Sequence, residues 1–173
     1  VTADATNDRV TTSAYDLLNR VVTQTTLNVA SGTVAATTGV LTETATSAAI
    51  TRYVYDGLNN VTRKTDATGA VTDWAYDAAG RKTQEQAPQF TDYQGATVRP
   101  TTNWEYDGLN HVKREIDRGT NNAVETDDRI TTYTYGVGGF LSGQTDPTGA
   151  QISYAIDANG NINTQTYLNT SIS

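Results

Sequence analysis

The chain has 173 residues, no cysteine, a formal net charge of -7, and 36% hydrophobic residues. The absence of cysteine excludes disulfides and thiolate metal sites, and the acidic balance argues against binding to nucleic acid or to an anionic membrane surface. No apolar run approaches ~18 residues, so we expect no membrane insertion. The sequence has no initiator methionine and no signal peptide, so we expect a processed chain or part of a longer protein.

A short frame recurs along the chain: an aromatic residue, a spacer, Tyr-Asp, two more residues, and then Gly or Asn. Its copies are SAYDLLNR from Ser13, YVYDGLNN from Tyr53, WAYDAAGR from Trp74, WEYDGLNH from Trp104, and the weaker YTYGVGGF from Tyr133 and YAIDANGN from Tyr154. Their starts lie 40, 21, 30, 29 and 21 residues apart. A repeat at such spacings indicates an array of equivalent supersecondary units. The function is therefore expected in an extended surface rather than in a catalytic pocket.

The first and third positions of the frame would lie on one face of a strand, because side chains alternate between faces. The first column contains Ser13, Tyr53, Trp74, Trp104, Tyr133 and Tyr154. The second column contains Tyr15, Tyr55, Tyr76, Tyr106, Tyr135 and Ile156. Aromatic side chains favour strands, so each copy predicts a strand with an aromatic face.

The frame ends on a residue that tolerates positive φ. These residues are Asn19, Asn59, Gly80, Asn110, Gly139 and Gly160. A three-residue hairpin loop needs that conformation at its third position, so each copy predicts a β-hairpin in which, for example, Tyr55 faces Val61. One step closer to the loop, the predicted pairs are Asp16 with Arg20, Asp56 with Asn60, Asp77 with Arg81, Asp107 with His111, Asp157 with Asn161, and Gly136 with Phe140.

A second turn signal, Asp-x-Thr-Gly, joins successive hairpins. It occurs in DATGAV from Asp66 and DPTGAQ from Asp146, and DATNDR from Asp4 resembles it. Longer copies carry insertions near this turn, at residues 27–48, 90–100 and 121–128; for the first, a flexible loop and an additional β-ribbon both remain open. The predicted fold is all-β: about six tandem antiparallel hairpins in a single array over residues 1–173, part of a longer array and forming an extended, twisted or spiralling sheet strip.

The run YVYDGLNNVTRKTDATGAVTDWAYDAAGR resembles the Rhs or YD repeat, whose usual pattern is Tyr-x-Tyr-Asp, two residues, Gly-Arg, an apolar residue, then Asp-Pro-x-Gly. The resemblance extends from Asp4 to about Gln165, with Asn for Gly in three turns, Gly136 for Asp and Ile156 for Tyr. It implies β-sheet strips that spiral into a hollow shell, as in bacterial toxin complexes, polymorphic toxins and teneurins. In the toxins the shell encloses a carboxy-terminal toxic domain. The family's core segment for self-cleavage and its variable toxin domain do not occur within these residues.

Neither catalysis nor metal binding is favoured by the individual residues. His111 is the single histidine, but its repeat position elsewhere holds Arg, Asn or Phe, which favours pairing with Asp107. The segment DANGNIN from Asp157 mimics the start of a calcium loop, yet Ile162 and Leu168 stand where Gly and Glu are needed. We therefore predict no catalytic, cofactor or metal site. The aromatic columns are interpreted as structural ladders, with stacking on sugars as the alternative.

The main hypothesis is a non-enzymatic structural segment of a secreted Rhs-type β-shell that encloses or presents a toxin domain. Its partners would be the rest of its own array and that enclosed domain, without nucleic acid. The alternative is an extracellular adhesin or filament segment, at the cell surface, that binds glycans or neighbouring chains. A hydrolase has no support beyond isolated Asp and His residues.

Overall fold

The computed structural model describes residues 8–34, 37–119 and 128–168, and within these ranges the chain forms strands and turns without a helix. The strands are β1 (Thr11–Tyr15), β2 (Val21–Val34), β3 (Leu41–Tyr55), β4 (Val61–Thr65), β5 (Val71–Tyr76), β6 (Lys82–Gln86), β7 (Phe90–Thr91), β8 (Thr97–Val98), β9 (Thr101–Tyr106), β10 (Val112–Arg118), β11 (Arg129–Tyr135), β12 (Leu141–Thr145), β13 (Gln151–Ile156) and β14 (Ile162–Leu168).

Strand order follows chain order. Twelve strands are hydrogen-bonded in the order β1-β2-β3-β4-β5-β6-β9-β10-β11-β12-β13-β14, and β7 and β8 form a separate pair. Short connections between sequential strands favour antiparallel pairing, and the described pairs are antiparallel, as in β1 with β2 and β13 with β14. The predicted all-β fold of tandem antiparallel hairpins is confirmed.

The chain divides into two compact units, Val1–Asp73 and Trp74–Ser173. The first unit holds the hairpins β1–β2 and β3–β4 together with the first half of β5. The second unit holds the rest of β5, then β6, the β7–β8 pair, and the hairpins β9–β10, β11–β12 and β13–β14.

The hairpins have the register that the frame predicts. Tyr55 pairs with Val61, and the residue at the same position pairs likewise in four other hairpins: Tyr15 with Val21, Tyr106 with Val112, Tyr135 with Leu141 and Ile156 with Ile162. A one-residue register shift beside each of these pairs marks a β-bulge. The bulge belongs to this loop type, which ends on a residue in the left-handed region. That residue has positive φ in all six frames: Asn19, Asn59, Gly80, Asn110, Gly139 and Gly160.

Two of the segments predicted as insertions contain strands. The segment 27–48 extends β2 and β3 into a ribbon whose register runs to Val34 opposite Leu41, so its described part is the β-ribbon of the two alternatives. The segment 90–100 contains the pair β7–β8, with Phe90 opposite Val98. The insertion at 121–128 and the turn from Asp4 lie largely outside the described residues.

Few side chains are buried. Among the residues whose burial is described, the buried hydrophobic ones are Val98, 6% exposed, and Ile116, 4% exposed, both in the second unit. Thr101, 2% exposed, is also buried. A sheet with so little core lacks the large apolar burial that usually stabilises a domain. Hydrogen bonds and side-chain contacts between neighbouring hairpins are correspondingly important.

Candidate functional site: the seam between hairpins

An aspartate closes each Tyr-Asp turn. The Asp56 backbone N–H donates to the Asn60 carbonyl (3.0 Å), and the Asn59 N–H donates to the Asp56 carbonyl (3.4 Å). Asp56 Oδ1 accepts the N–H groups of Leu58 (2.8 Å) and Asn60 (2.9 Å). Asp56 Oδ2 accepts the Asn60 side-chain amide at 3.0 Å. One carboxylate therefore satisfies the inward N–H groups of the loop and fixes the residue that follows it.

The same bonds recur at the other Tyr-Asp turns. Their aspartates are Asp16, Asp77, Asp107 and Asp157. Donated hydrogen bonds stabilise the ionised carboxylate. They hold the pKa of the Asp56 carboxyl below its ordinary value, chiefly through the Asn60 amide, and that of Asp16 through the Arg20 N–H. The predicted Asp pairings are observed, but the larger role of Oδ1 in the loop was missed.

The second turn uses the same carboxylate geometry. Asp66 Oδ1 accepts the N–H groups of Thr68 (2.8 Å) and Ala70 (3.0 Å), and the Thr68 hydroxyl donates to it at 2.6 Å. The Asp146 turn repeats this arrangement. A further turn of this kind, at Asp92, joins β7 to β8. Sequence reasoning missed that turn, although Asp-x-x-Gly at residues 92–95 carried the signal.

The fifth frame keeps the backbone of the turn without its carboxylate. The Gly136 N–H donates to the Phe140 carbonyl at 2.9 Å, and the Gly139 N–H donates to the Gly136 carbonyl at 3.1 Å. The predicted pairing of Gly136 with Phe140 is thus observed. The loop N–H groups that a carboxylate satisfies elsewhere have no such acceptor here.

We call the residue directly after each loop the bridging residue: Arg20, Asn60, Arg81, His111, Phe140 and Asn161. Four of them lie against the next hairpin: Arg20, Arg81, His111 and Phe140. Arg20 Nε donates to its own Asp16 at 2.7 Å. Its Nη1 then donates to the side-chain oxygen of Asn59 at 3.0 Å, in the following hairpin. The guanidinium also lies 4.7 Å from the ring centroid of Tyr55, within the range of a cation–π interaction. We call this contact between consecutive hairpins the seam.

Arg81 makes the same seam in the second unit. Its Nε donates to Asp77 at 2.7 Å, and its Nη1 donates to the Asn110 side-chain oxygen at 2.9 Å. The guanidinium lies 4.6 Å from the Tyr106 ring centroid. Only arginine offers this planar fork together with a stacking face. The repetition identifies a unit of recognition: an arginine on one hairpin, and an asparagine and a tyrosine on the next.

Where the bridging residue has a ring, the turn residue of the next hairpin is glycine instead of asparagine. The His111 ring stacks on Tyr135, with centroids 4.4 Å apart and planes inclined by 20°. A Cβ added at Gly139 would lie 2.9 Å from His111 Nε2. A Cβ added at Gly160 would lie 2.4 Å from Phe140 Cε1. The described seams therefore follow a matching rule: arginine meets asparagine, and a ring meets glycine.

In three hairpins a tyrosine hydroxyl donates a hydrogen bond to a backbone carbonyl of the preceding hairpin. Tyr55 donates to the Val21 carbonyl at 2.7 Å, Tyr106 donates to the Lys82 carbonyl at 2.7 Å, and Tyr135 donates to the Val112 carbonyl at 2.8 Å. Burial raises the pKa of Tyr135, with a smaller contribution from the Asp107 charge. Sequence reasoning placed these rings against an apolar residue of their own hairpin; their bond to the preceding hairpin was missed.

The first aromatic column also contacts charged side chains. Trp74 Nε1 donates to Glu85 Oε2 at 2.9 Å, and Lys82 Nζ donates to the same oxygen at 2.8 Å. These bonds, that of Lys82 first, lower the pKa of Glu85. Lys82 also lies 4.3 Å from the Trp104 ring centroid. One face of Trp104 is thus covered by a cation, which is unfavourable for a sugar at that face.

The other predicted repeat positions lie on the strands where the frame puts them. Tyr53, Tyr133 and Tyr154 are half-buried on β3, β11 and β13, and Tyr76 is half-buried on β5. Tyr15, on β1, is 57% exposed.

Groups that could carry chemistry are engaged in turns. His111 Nδ1 lies 2.9 Å from Asp107 Oδ2, and both oxygens of Asp157 accept donors of their own loop. Residues 8–34, 37–119 and 128–168 contain no group of three or more His, Cys, Asp or Glu side chains arranged to hold a metal ion. The same residues contain no helix that is long and apolar enough to cross a membrane.

Comparison with solved structures gives similarities of low identity. A crystal structure of TcdB2-TccC3-TEV is 13% identical with a TM-score of 0.40, covering 86% of this chain and 8% of that one. A crystal structure of TcdB2-TccC3 is 14% identical with a TM-score of 0.34, covering 91% and 11%. The Tc holotoxin pore of Photorhabdus luminescens is 14% identical with a TM-score of 0.31, covering 92% and 11%. The chain thus spans 8–11% of these proteins.

No curated protein matches the chain. The family model described as RHS Repeat matches residues 55–89. This segment contains the turns of Asp56 and Asp77 and the Asp66 turn that connects them. The resemblance read from the repeated frame is confirmed: the chain carries an RHS repeat at residues 55–89.

Proposed function

We propose that this chain is a non-enzymatic structural segment of a secreted β-shell made of RHS repeats, and that the shell encloses or presents a toxin domain. The seam carries the proposal. In each described seam the bridging side chain is committed to the next hairpin, and in three of them a tyrosine hydroxyl is committed to the preceding one. These side chains join hairpins in a fixed order, and their polar groups and ring faces are already engaged in contacts within the chain.

The small number of buried side chains supports a role as part of the wall of a shell. A wall needs strands that are fixed to one another along their length, with both faces of the sheet accessible. Two open grooves lined by described residues of the second unit have volumes of about 260 Å³ and 300 Å³. They are at or below the lower end of the usual range for small-molecule pockets, ~300–1,000 Å³. The first is lined by Gly136, Phe140 and Tyr154, and neither groove contains a histidine or a pair of carboxylates.

The toxin domain is proposed from the resemblance to Rhs proteins, and it would lie outside these 173 residues. A secreted shell would place the array outside the cell that makes it. The same strip could serve instead as a filament that binds neighbouring chains or glycans. The rings of Tyr55, Tyr106 and Tyr135 are poor candidates for sugar stacking, because a bridging side chain lies against each of them.

Electron microscopy of the purified full-length protein, combined with limited proteolysis, tests the proposal. We expect closed hollow particles, and a domain outside the array that resists protease until the particle is denatured. Extended fibres with every domain equally sensitive to protease would overturn the shell. They would support the filament instead.

A further inference from the structure

We propose that the exposed edge of β1 is a docking edge for a Tyr-Asp hairpin whose bridging residue is arginine. The inference rests on the proposed function, since it names the partner that continues the strip. All five residues of β1 are exposed, and β1 stands first in the strand order. Tyr15 is 57% exposed, whereas Tyr55 at the same position of the next hairpin is half-buried under Arg20.

The first turn has the receiving half of a seam. Asn19 has φ of 61°, close to 68° at Asn59 and 72° at Asn110. Those two asparagines each accept an arginine Nη1, at 3.0 Å and 2.9 Å. In the described part of the chain, the Asn19 side chain and the Tyr15 hydroxyl have no hydrogen-bond partner. The edge therefore presents the same acceptor and the same ring that receive arginine elsewhere.

The matching rule selects the chemistry of the partner. Where a ring bridges, as His111 and Phe140 do, the receiving residue is glycine, because a Cβ there would collide with the ring. Asn19 has a Cβ and so disfavours a ring. A second copy of this chain, docking through its last hairpin, would present Asn161, which carries no cation and whose amide is donated to Asp157. Of the bridging residues in the described seams, arginine alone donates to the asparagine oxygen and also covers the tyrosine face.

The partner hairpin should also receive the returning bond. The Tyr15 hydroxyl would donate to the carbonyl of the residue after the partner's bridging arginine, as Tyr55 does to Val21 and Tyr106 does to Lys82. The interface is therefore a continuation of the seam already present in both units. It pairs β1 with the second strand of the incoming hairpin, and the antiparallel alternation is kept.

The test extends the full chain at its amino terminus with a copy of its own residues 71–86, whose bridging residue is Arg81. Residues 1–10 serve as the linker, so docking is intramolecular. Hydrogen exchange of the β1 amides that face away from β2 is measured by NMR, and the β14 amides serve as the internal control. We expect these β1 amides to be protected at least about tenfold more than in the unextended chain, with β14 unchanged, because docking makes them ladder donors.

A matched set of variants separates the arginine from the docking itself. Arg81→Ala in the extension alone should lower the protection about tenfold, as expected for the loss of a hydrogen bond from a charged donor. Arg81→Phe in the extension should also lower it, and Asn19→Gly should restore it only in combination with that phenylalanine.

If the β1 amides are protected equally with arginine and with alanine in the extension, the preference for arginine is wrong, although a hairpin still docks on β1. Absence of protection in every extension, including the matched phenylalanine–glycine pair, would overturn this docking edge and the continuation of the sheet beyond β1, while the shell is tested separately by electron microscopy.

Discussion

Alanine at Gly160 should destabilise the second unit more than alanine at Gly149, because only Gly160 lies in a seam. Both glycines have φ of +88°, so both substitutions carry the same backbone cost. An L-residue in the left-handed region costs about 1–2 kcal/mol. A Cβ at Gly149 would meet nothing within 4 Å. Gly149→Ala is therefore the matched control for the backbone.

The extra cost at Gly160 comes from Phe140. The added Cβ would lie 2.4 Å from Phe140 Cε1, 2.8 Å from Cζ and 2.9 Å from Cδ1. Carbon atoms in contact prefer about 3.5–4.0 Å, so the ring must move by about 1 Å or leave. Overpacking costs about 1–3 kcal/mol. Because Phe140 is 39% exposed and can swing toward solvent, we expect the lower end. The totals are about 1–2 kcal/mol for Gly149→Ala and about 2–3 kcal/mol for Gly160→Ala.

Urea unfolding followed by tryptophan fluorescence measures both values. Trp74 and Trp104 lie in the same unit as the two glycines. With a slope of about 1–3 kcal/mol per molar urea, the additional 1 kcal/mol moves the midpoint by about 0.3–1 M. In a Phe140→Ala background, Gly160→Ala and Gly149→Ala should lower the free energy of unfolding by equal amounts, because the ring that the added Cβ would meet is gone. If the two alanine variants agree within about 0.3 kcal/mol, the additivity limit for independent sites, the seam contact at Gly160 contributes nothing and the matching rule fails.

Tyr106→Phe should lower the free energy of unfolding by about 0.5–1.5 kcal/mol, because it removes a 2.7 Å bond to the preceding hairpin; Tyr154→Phe, whose hydroxyl has no partner in the described residues, should leave the urea midpoint unchanged. Arg81→Lys should cost about 1 kcal/mol through the lost fork and stacking, whereas Arg114→Lys, in an exposed pair with Glu105, should cost almost nothing; equal losses would contradict the seam. Gly136→Asp should raise the free energy of unfolding by about 0.5–1 kcal/mol, read as a higher thermal midpoint, since the carboxylate would accept the loop N–H groups; a lower midpoint would count against the turn geometry. The turn aspartates have pKa values lowered in the folded state. Their contribution to stability is therefore present above the unfolded-state pKa, about 3.9, and is lost as pH falls through the folded-state pKa values. A urea midpoint that stays constant from pH 5 to pH 2 would refute this.

The hairpins could be predicted because each is specified locally. The aromatic residues at alternate positions define a strand face, and the obligatory Asn or Gly fixes where the loop ends. Together they set the pairing of Tyr55 with Val61 and of Asp77 with Arg81, both within a few residues of the loop. The β7–β8 pair was also within reach, because the Asp92 turn repeats the Asp-x-x-Gly signal. Its strands have only two residues each, too few to show the alternation that marks a strand in a sequence.

The seam could not be predicted, because it joins residues far apart in the sequence. Arg20 and Asn59 are 39 residues apart, and Arg81 and Asn110 are 29 apart. Which of them meet depends on how far the side chain of one hairpin extends across the strands to the next. His111 illustrates the limit. Its pairing with Asp107 followed from register, but its stacking on Tyr135 requires the neighbouring hairpin to be in place.

The matching rule bears on how such an array can be duplicated during evolution. A seam joins the bridging residue of one hairpin to the turn residue of the next, so copying a single hairpin separates partners that suit each other. In the second unit, the segments that carry both partners are offset from the hairpins: 81–110, 111–139 and 140–160. These segments are contiguous, and each holds a bridging residue together with the asparagine or glycine that receives it. A recombination event that respects their boundaries transmits ring with glycine and arginine with asparagine, whereas a crossover inside one of them yields mismatched offspring.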